Sequence, residues 1–437
     1  LTRTTKTFRE DVLKMTEKKP IKAKSDLPHV TGYTCTLCHR FYPYEEEMLT
    51  CPACGEKGIL DIEYDYDVIS KKVSRESLTA DHNNSIWRYK AFLPLEDRDF
   101  SSFLRVGWTP LYRSLRLGDE LGLKALYIKD DGLNPTASFK DRASGVAVAK
   151  ACELGYDTIS CSSTGNAASS CAGNAARVGL KSVIFVPERA PQGKLAQMLV
   201  FGARVISVIG DYRDTFNLSK AAIDRYGWFN RNAGINPVMI EGKKTASFEI
   251  AEQLNFDLTN WVAVSVGDGC TIGGVYNGFR DLHKLGFIDR IPKILGVQST
   301  GCSPFVDAAR ANEPLKPAEE NTLADSISVG IPRNPVKALR AVAESHGEWI
   351  AVPDEDILEA MRSMGREEGI FGEPAGVTAF AGVRRAVELG VIKSDESVTC
   401  ICTGSGLKDV VNALRAGGEP IRCHPDLDEL EALGIVN

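Results

Sequence analysis

The sequence predicts an α/β protein built on parallel sheets with helices packed on their faces, preceded by a small cysteine-rich module. Three observations lead there. At 437 residues the chain is too long for one compact core and suits two or three folded units. From about Ile86 onward, short apolar runs of strand character alternate with Ala-rich helical stretches, an alternation that builds parallel sheets covered by helices. Ahead of that region, two C-x-x-C pairs stand close together.

The pairs are Cys35-Thr36-Leu37-Cys38 and Cys51-Pro52-Ala53-Cys54. Four thiolates at this spacing can close a tetrahedral shell around zinc, and a closed shell leaves no open coordination position, so the ion is expected to be structural. Phe41-Tyr42-Pro43-Tyr44 between the pairs supplies aromatic cover for a unit too small to own a core. His39 follows Cys38, but four cysteines already complete the shell. The other cysteines scatter singly, which suits reduced thiols better than a disulfide framework.

In the remainder, Leu126–Lys129, Thr158–Cys161, Ser182–Val186, Val205–Val208, Val262–Val266, Ile294–Val297 and Val398–Cys402 read as strands, and Gly145–Leu154 and Ala167–Val178 as helices. Ligands gather where the carboxyl ends of such strands turn into helices. One turn is Asn134-Pro135-Thr136-Ala137-Ser138-Phe139-Lys140-Asp141-Arg142, where a lysine is presented rigidly and a nearby helix N-terminus disfavours its protonated form. A second, Ser162-Ser163-Thr164-Gly165-Asn166, offers hydroxyls and backbone N–H groups to a carboxylate. A third, Gly267-Asp268-Gly269-Cys270-Thr271, lets the backbone approach an anion closely, provided that the Asp268 carboxylate points away. After the last strand, Thr403-Gly404-Ser405-Gly406-Leu407-Lys408-Asp409 sets a hydroxyl where it can donate to a heterocyclic nitrogen or cap a helix. Each turn alone is common in proteins that bind nothing there. The polar stretch 314–321 has no assigned role.

A formal charge of -6 argues against an electrostatic grip on nucleic acid or an anionic membrane. No apolar run approaches the roughly 20 residues that span a bilayer, and the first 27 residues lack an apolar signal core. The expectation is a cytoplasmic protein acting on a small molecule. Its first residue is Leu1, a start that truncation, processing or a non-standard codon would each give.

The turns, in this order, together with Gly107-Trp108-Thr109-Pro110-Leu111, Glu241-Gly242-Lys243-Lys244-Thr245 and Glu373-Pro374-Ala375, closely resemble the threonine synthase branch of the fold type II, tryptophan-synthase-β-like pyridoxal-phosphate enzymes. The cysteine module resembles the zinc ribbon of many such proteins. The resemblance implies two doubly wound three-layer α/β/α domains, with residues 63–145 plus 240–437 forming a large cofactor-binding domain and 146–239 a small one, after a tail and zinc-ribbon-like module at 1–62. It also implies that Lys140, beside Phe139, holds pyridoxal 5′-phosphate as a Schiff base and shuttles protons. Asn166 would bond the cofactor's 3′-oxygen, the Gly267, Asp268, Gly269, Cys270 and Thr271 loop would cradle its phosphate, and Thr403 would face its pyridine nitrogen. Ser163, Thr164 and Gly165 would hold the substrate carboxylate, with Lys194 and Lys243, or Lys244, at the substrate phosphate. A homodimer is the usual assembly of this fold.

The implied reaction is O-phosphohomoserine plus water to threonine plus phosphate, with γ-elimination followed by addition of water at the β-carbon. Two positions depart from the branch: Met239 and Ser405 stand where an arginine and a histidine are common, both toward the substrate-phosphate end. Elimination or replacement on O-phosphoserine, as in a cysteate synthase, and serine/threonine dehydration are therefore the alternatives within the fold. A non-catalytic sensor or nucleic-acid adaptor built on the zinc ribbon is the alternative outside it, opposed by the acidic charge and the intact lysine.

Overall fold

The structure, a computed structural model, describes residues 25–434 except 164, 189–191 and 211. Three sheets organise it. The first is antiparallel, in the order β2-β1-β4-β3, from β1 (Val30–Cys35), β2 (Phe41–Pro43), β3 (Thr50–Cys51) and β4 (Gly55–Tyr64). The largest contains β5 (Leu111–Ser114), β6 (Ala125–Asp130), β11 (Trp261–Ser265), β12 (Lys293–Ser299), β13 (Glu348–Val352) and β14 (Ser397–Cys402), in the order β13-β12-β11-β14-β6-β5. The third holds β7 (Thr158–Ser162), β8 (Lys181–Pro187), β9 (Arg204–Val208) and β10 (Phe229–Asn230), ordered β10-β7-β8-β9.

The predicted parallel pairing holds in both larger sheets apart from edge strand β5, which runs antiparallel to β6. An antiparallel edge costs little in an otherwise parallel sheet, because only one neighbour must accommodate it. The last strand, β14, inserts between β11 and β6. Chain order reverses there, and the crevice beyond the strand ends at such a switch point is where ligands bind.

Helix Lys140–Glu153 packs on Val238–Gln253 and Asn166–Arg177, and Val238–Gln253 packs on Cys270–Lys284. Glycines permit the close approach. A Cβ on Gly242 would lie 2.3 Å from the Arg142 carbonyl oxygen, and one on Gly278 would lie 2.6 Å from that of Lys244. The first of these helices begins at Lys140, five residues before the predicted start near Gly145. Asp141 explains the early start: its carboxylate accepts from Thr136 N (2.7 Å) and Oγ1 (2.8 Å) and from Asn174 Nδ2 (2.8 Å), fastening the first turn from both sides.

The N-terminal module is not an appendage. Leu60 and Ile62 share one apolar cluster with Phe92 and Phe248. Ion pairs and a buried hydrogen bond add direction: Asp61 meets Lys337 (3.0 Å) and Arg340 (2.8 Å), and Tyr64 donates to Glu241 (2.5 Å). Glu47 pairs with Lys150 (2.7 Å) on the helix that starts at Lys140. The expected aromatic cover is supplied by Tyr42 and the buried Tyr44, whereas Phe41 is exposed.

Candidate active site

Lys140 lies in the first turn of its helix, after β6, and its side chain is only partly buried. Its amine makes no hydrogen bond or ion pair among the described residues. Burial lowers its pKa, and the nearby Arg231 cation lowers it further, against Cys270, Glu373 and Asp268. Burial and Arg231 therefore lead where the sequence pointed to the helix N-terminus. Behind it, Arg142 holds Asp131 (2.6 and 2.8 Å) and Glu249 (2.5 and 2.8 Å), and Lys129 meets Glu249 at 2.7 Å. All four groups are fully buried, and their two positive and two negative charges cancel. This quartet ties the Lys140 turn to β6 and to helix Val238–Gln253.

The Gly267–Thr271 loop follows β11 into helix Cys270–Lys284. Gly269 has φ +84°, and a Cβ there would lie 2.6 Å from the Asn334 carbonyl oxygen; one on Gly267 would lie 2.8 Å from Ile327 Cα. Only glycine fits either place. The Asp268 carboxylate does turn away: it accepts from Arg333 N (2.7 Å) and from Cys270 Sγ (3.6 Å), and burial raises its pKa. The loop's N–H end is thus left for an anion.

Asn166 opens helix Asn166–Arg177, gives its Nδ2 to Glu373 Oε1 (2.6 Å) and leaves a buried Oδ1 without a partner. Thr403 follows β14, and its carbonyl accepts from Phe139 N at 2.9 Å, which seats the Lys140 turn against the β14 end. Phe139 is fully buried. Lysine, glycine loop, asparagine and threonine thus come from the ends of β6, β11, β7 and β14, at one crevice between two sheets.

The sequence profile of the family described as "Pyridoxal-phosphate dependent enzyme" matches residues 103–404. The chain belongs to that family. It is 41% identical to a threonine synthase of Methanocaldococcus jannaschii, over 91% of this chain and 98% of that one. It is 39% identical to a threonine synthase of Methanosarcina acetivorans, over 91% and 96%. Among solved structures it resembles threonine deaminase isoform 2 of Solanum lycopersicum (TM-score 0.61, 22% identity, 71% of this chain and 87% of that one). Maize serine racemase is similar (TM-score 0.60, 21%, 68% and 88%). These two show the fold.

The crevice of this pyridoxal-phosphate-dependent enzyme suits its cofactor. An amine without a partner can take the aldehyde, a helix start boxed by glycines can take the phosphate, and Asn166, with a buried Oδ1 left over, and Thr403 are candidates to bond polar atoms of the ring. At the substrate end, Gly165 N donates to Ser163 Oγ (3.2 Å), and Lys194 Nζ lies near Gly165 while pairing with Asp325 (2.6 Å). Thr164 lies outside the described residues. Lys244 is committed to Glu241 (2.5 Å) and Asp281 (2.7 Å). Lys243, its neighbour, is buried with no partner for Nζ, and burial lowers its pKa to about 8. Met239 is fully buried in the apolar core, and Ser405 Oγ accepts from Leu407 N at 3.4 Å, so neither supplies a cation.

Two residues in the recognised motifs carry more than the sequence assigned. Glu373 bonds Asn166, faces Lys194, Lys408 and Lys140, and has its pKa raised by burial against those cations. Lys408 donates to Ser169 (2.9 Å) and Gln197 (2.5 Å), with its pKa lowered by burial to about 8. The 314–321 stretch lines a separate cavity of about 550 Å³ with Thr300 and Asp307; no predicted site residue borders it.

The sulfur atoms of Cys35, Cys38, Cys51 and Cys54 all lie within 4.8 Å of one another, and Cys38 and Cys51 are 3.8 Å apart. A tetrahedral zinc with Zn–S of about 2.3 Å needs sulfurs about 3.8 Å apart, so the set fits. His39 is exposed and lies outside this set. All twelve cysteines are free of disulfides. Among the described residues, no helix is long and apolar enough to cross a membrane.

Proposed function

We propose that this enzyme is a threonine synthase that converts O-phosphohomoserine and water into threonine and phosphate. The observation carrying this reading is the extent of likeness: two threonine synthases are matched over 98% and 96% of their lengths at 41% and 39% identity. An amine whose protonated form is disfavoured by burial and by Arg231, with buried cations near it, supports the same reading.

Pyridoxal phosphate, when bound, supplies the electron sink for bond breaking at the α-carbon. The chain's own residues do the rest. Lys140 is the proposed proton carrier; burial and Arg231 favour its neutral, proton-accepting form. Ser163, Thr164 and Gly165 hold the substrate carboxylate. Lys194 and Lys243 offset charge as phosphate leaves the γ-carbon, and a water oxygen then adds at the β-carbon. Atoms balance as one water in and one phosphate out.

The test is product identification on cofactor-loaded protein offered O-phosphohomoserine, O-phosphoserine with and without sulfite, serine and threonine. Threonine and phosphate in equal amounts from the first is the expected result. No phosphate from it sinks the proposal, and sulfite-dependent release from O-phosphoserine would replace it with a cysteate synthase reading. Lys140→Ala removes both product and the borohydride-reducible visible chromophore.

A structural zinc in the four-cysteine cluster, homodimeric assembly and a cytoplasmic location belong to the same proposal. Sulfur spacing supports the first, and family resemblance supports the second. Metal analysis and sedimentation equilibrium check them.

A further inference from the structure

Arg231, at the end of β10, is a buried guanidinium without a carboxylate. It is 2% exposed. Its Nε donates to Ser144 Oγ (3.1 Å), one helical turn beyond Lys140, and its buried Nη2 has no partner. Two more buried donors are orphaned, one on the next residue of the chain and one on a lysine that the Arg231 charge reaches. Asn232 (8% exposed) accepts from Ser162 N with Oδ1 (3.1 Å) and leaves Nδ2 unused. Lys243 (1% exposed) leaves Nζ unused, on a helix stretch pressed against the start of Cys270–Lys284, where a Cβ on Gly274 would lie 2.6 Å from Lys243 Cβ. Cys270 Sγ donates to the Ala233 carbonyl oxygen (3.5 Å), so the 230–236 loop sits on the first turn of that helix.

Buried donors are nearly always satisfied, and a buried cation without a counter-charge is costlier still. Asp268, the nearest acidic group of the glycine loop, is occupied by Arg333 N and Cys270. Three unsatisfied donors, two of them cationic, therefore await a ligand with several acceptor oxygens and more than one negative charge. A carboxylate has two oxygens and one charge; a phosphate monoester has three free oxygens and nearly two charges at neutral pH.

We propose that Arg231, Lys243 and Asn232 form a phosphate-monoester site at the floor of the crevice, with Arg231 as a binding residue that no motif marks. The inference deepens the reading above and rests on it only for where the phosphate comes from, since cofactor and substrate each carry one. Fields agree with the placement: Arg231 depresses the pKa of both Lys140 and Lys243.

The test compares parent, Arg231→Gln and Arg231→Lys, by readouts that need no turnover. Apoenzyme is titrated with pyridoxal phosphate and with pyridoxal, following Schiff-base absorbance, and holoenzyme is titrated with inorganic phosphate by calorimetry. A tenfold or greater loss for pyridoxal phosphate with pyridoxal unchanged, partly restored in Arg231→Lys, assigns the site to the cofactor. Unchanged cofactor binding with a tenfold loss for inorganic phosphate assigns it to the substrate. Changes below twofold in both, or equal losses for pyridoxal phosphate and pyridoxal, overturn the proposal, and far-UV circular dichroism identifies a variant that has not folded. If Arg231→Gln is unfolded, the same titrations on Arg231→Lys decide: its compact ammonium lacks the two-pronged fork, so undiminished binding of every ligand overturns the assignment.

Discussion

Replacing Arg142 by methionine tests whether charge holds the Lys140 turn. Arg142, Lys129, Asp131 and Glu249 sum to zero charge at full burial, and methionine leaves a net negative charge there. The side chain is close in length, so the packing loss is small. Stranding one buried charge costs about 3–5 kcal/mol, a large part of the roughly 5–15 kcal/mol that holds a protein folded. Arg142→Met should therefore lose about 3–5 kcal/mol at pH 7 in equilibrium urea unfolding of the apoenzyme. Arg142→Met with Glu249→Gln restores neutrality and should recover at least about 1 kcal/mol of it. Acidity offers a second check. Burial pushes the Glu249 pKa up, but Arg142 and Lys129 outweigh burial and hold it at about 2. A depressed carboxylate stabilises above its unfolded pKa of about 4.3 and loses that contribution as pH falls toward 2, so the gap between parent and variant should be full at pH 7 and narrow below pH 4. A single variant within about 1 kcal/mol of the parent at pH 7, or a gap that ignores pH, would refute the charge argument.

The other expectations concern the site and the module. Lys243→Met should stabilise the apoenzyme at pH 7, because holding the ammonium at about 8 rather than near 10.4 costs the protonated form about 3 kcal/mol. The gain should shrink as pH rises through 8, where the buried amine is already neutral; a lower unfolding midpoint at pH 7 contradicts this. Glu373→Gln removes an anion that favours the protonated form of Lys140, so the acid limb of the kcat profile, where Lys140 must shed its proton to act as acceptor, should move to lower pH, and a move to higher pH would count against that role. Cys51→Ser should abolish stoichiometric zinc and, by loosening the sheet that carries Asp61 and Tyr64, lower the thermal midpoint; zinc content equal to the parent's would exclude Cys51 as a ligand.

Much of this protein is written in local signals. Strand and helix character, the glycine-rich turns and the spacing of four cysteines are properties of a few consecutive residues, which is why the parallel sheets, the Lys140 turn and the cysteine cluster were legible in order along the chain. What the sequence could not decide was how charges pair. Lys243 and Lys244 are adjacent on one helix, yet Lys244 is locked between Glu241 and Asp281 while Lys243 has no partner. That helix is buried all round, so no amphipathic stripe tells one face from another. Arg231 belongs to no motif and comes near Lys140 through the pairing of β10 with β7. Likewise Glu373 meets Asn166 across 207 residues of chain. Sequence named the turns and their candidate side chains; tertiary packing decided which polar groups were already satisfied and which were left without a partner, because a buried charge is defined by neighbours that the chain brings from far away.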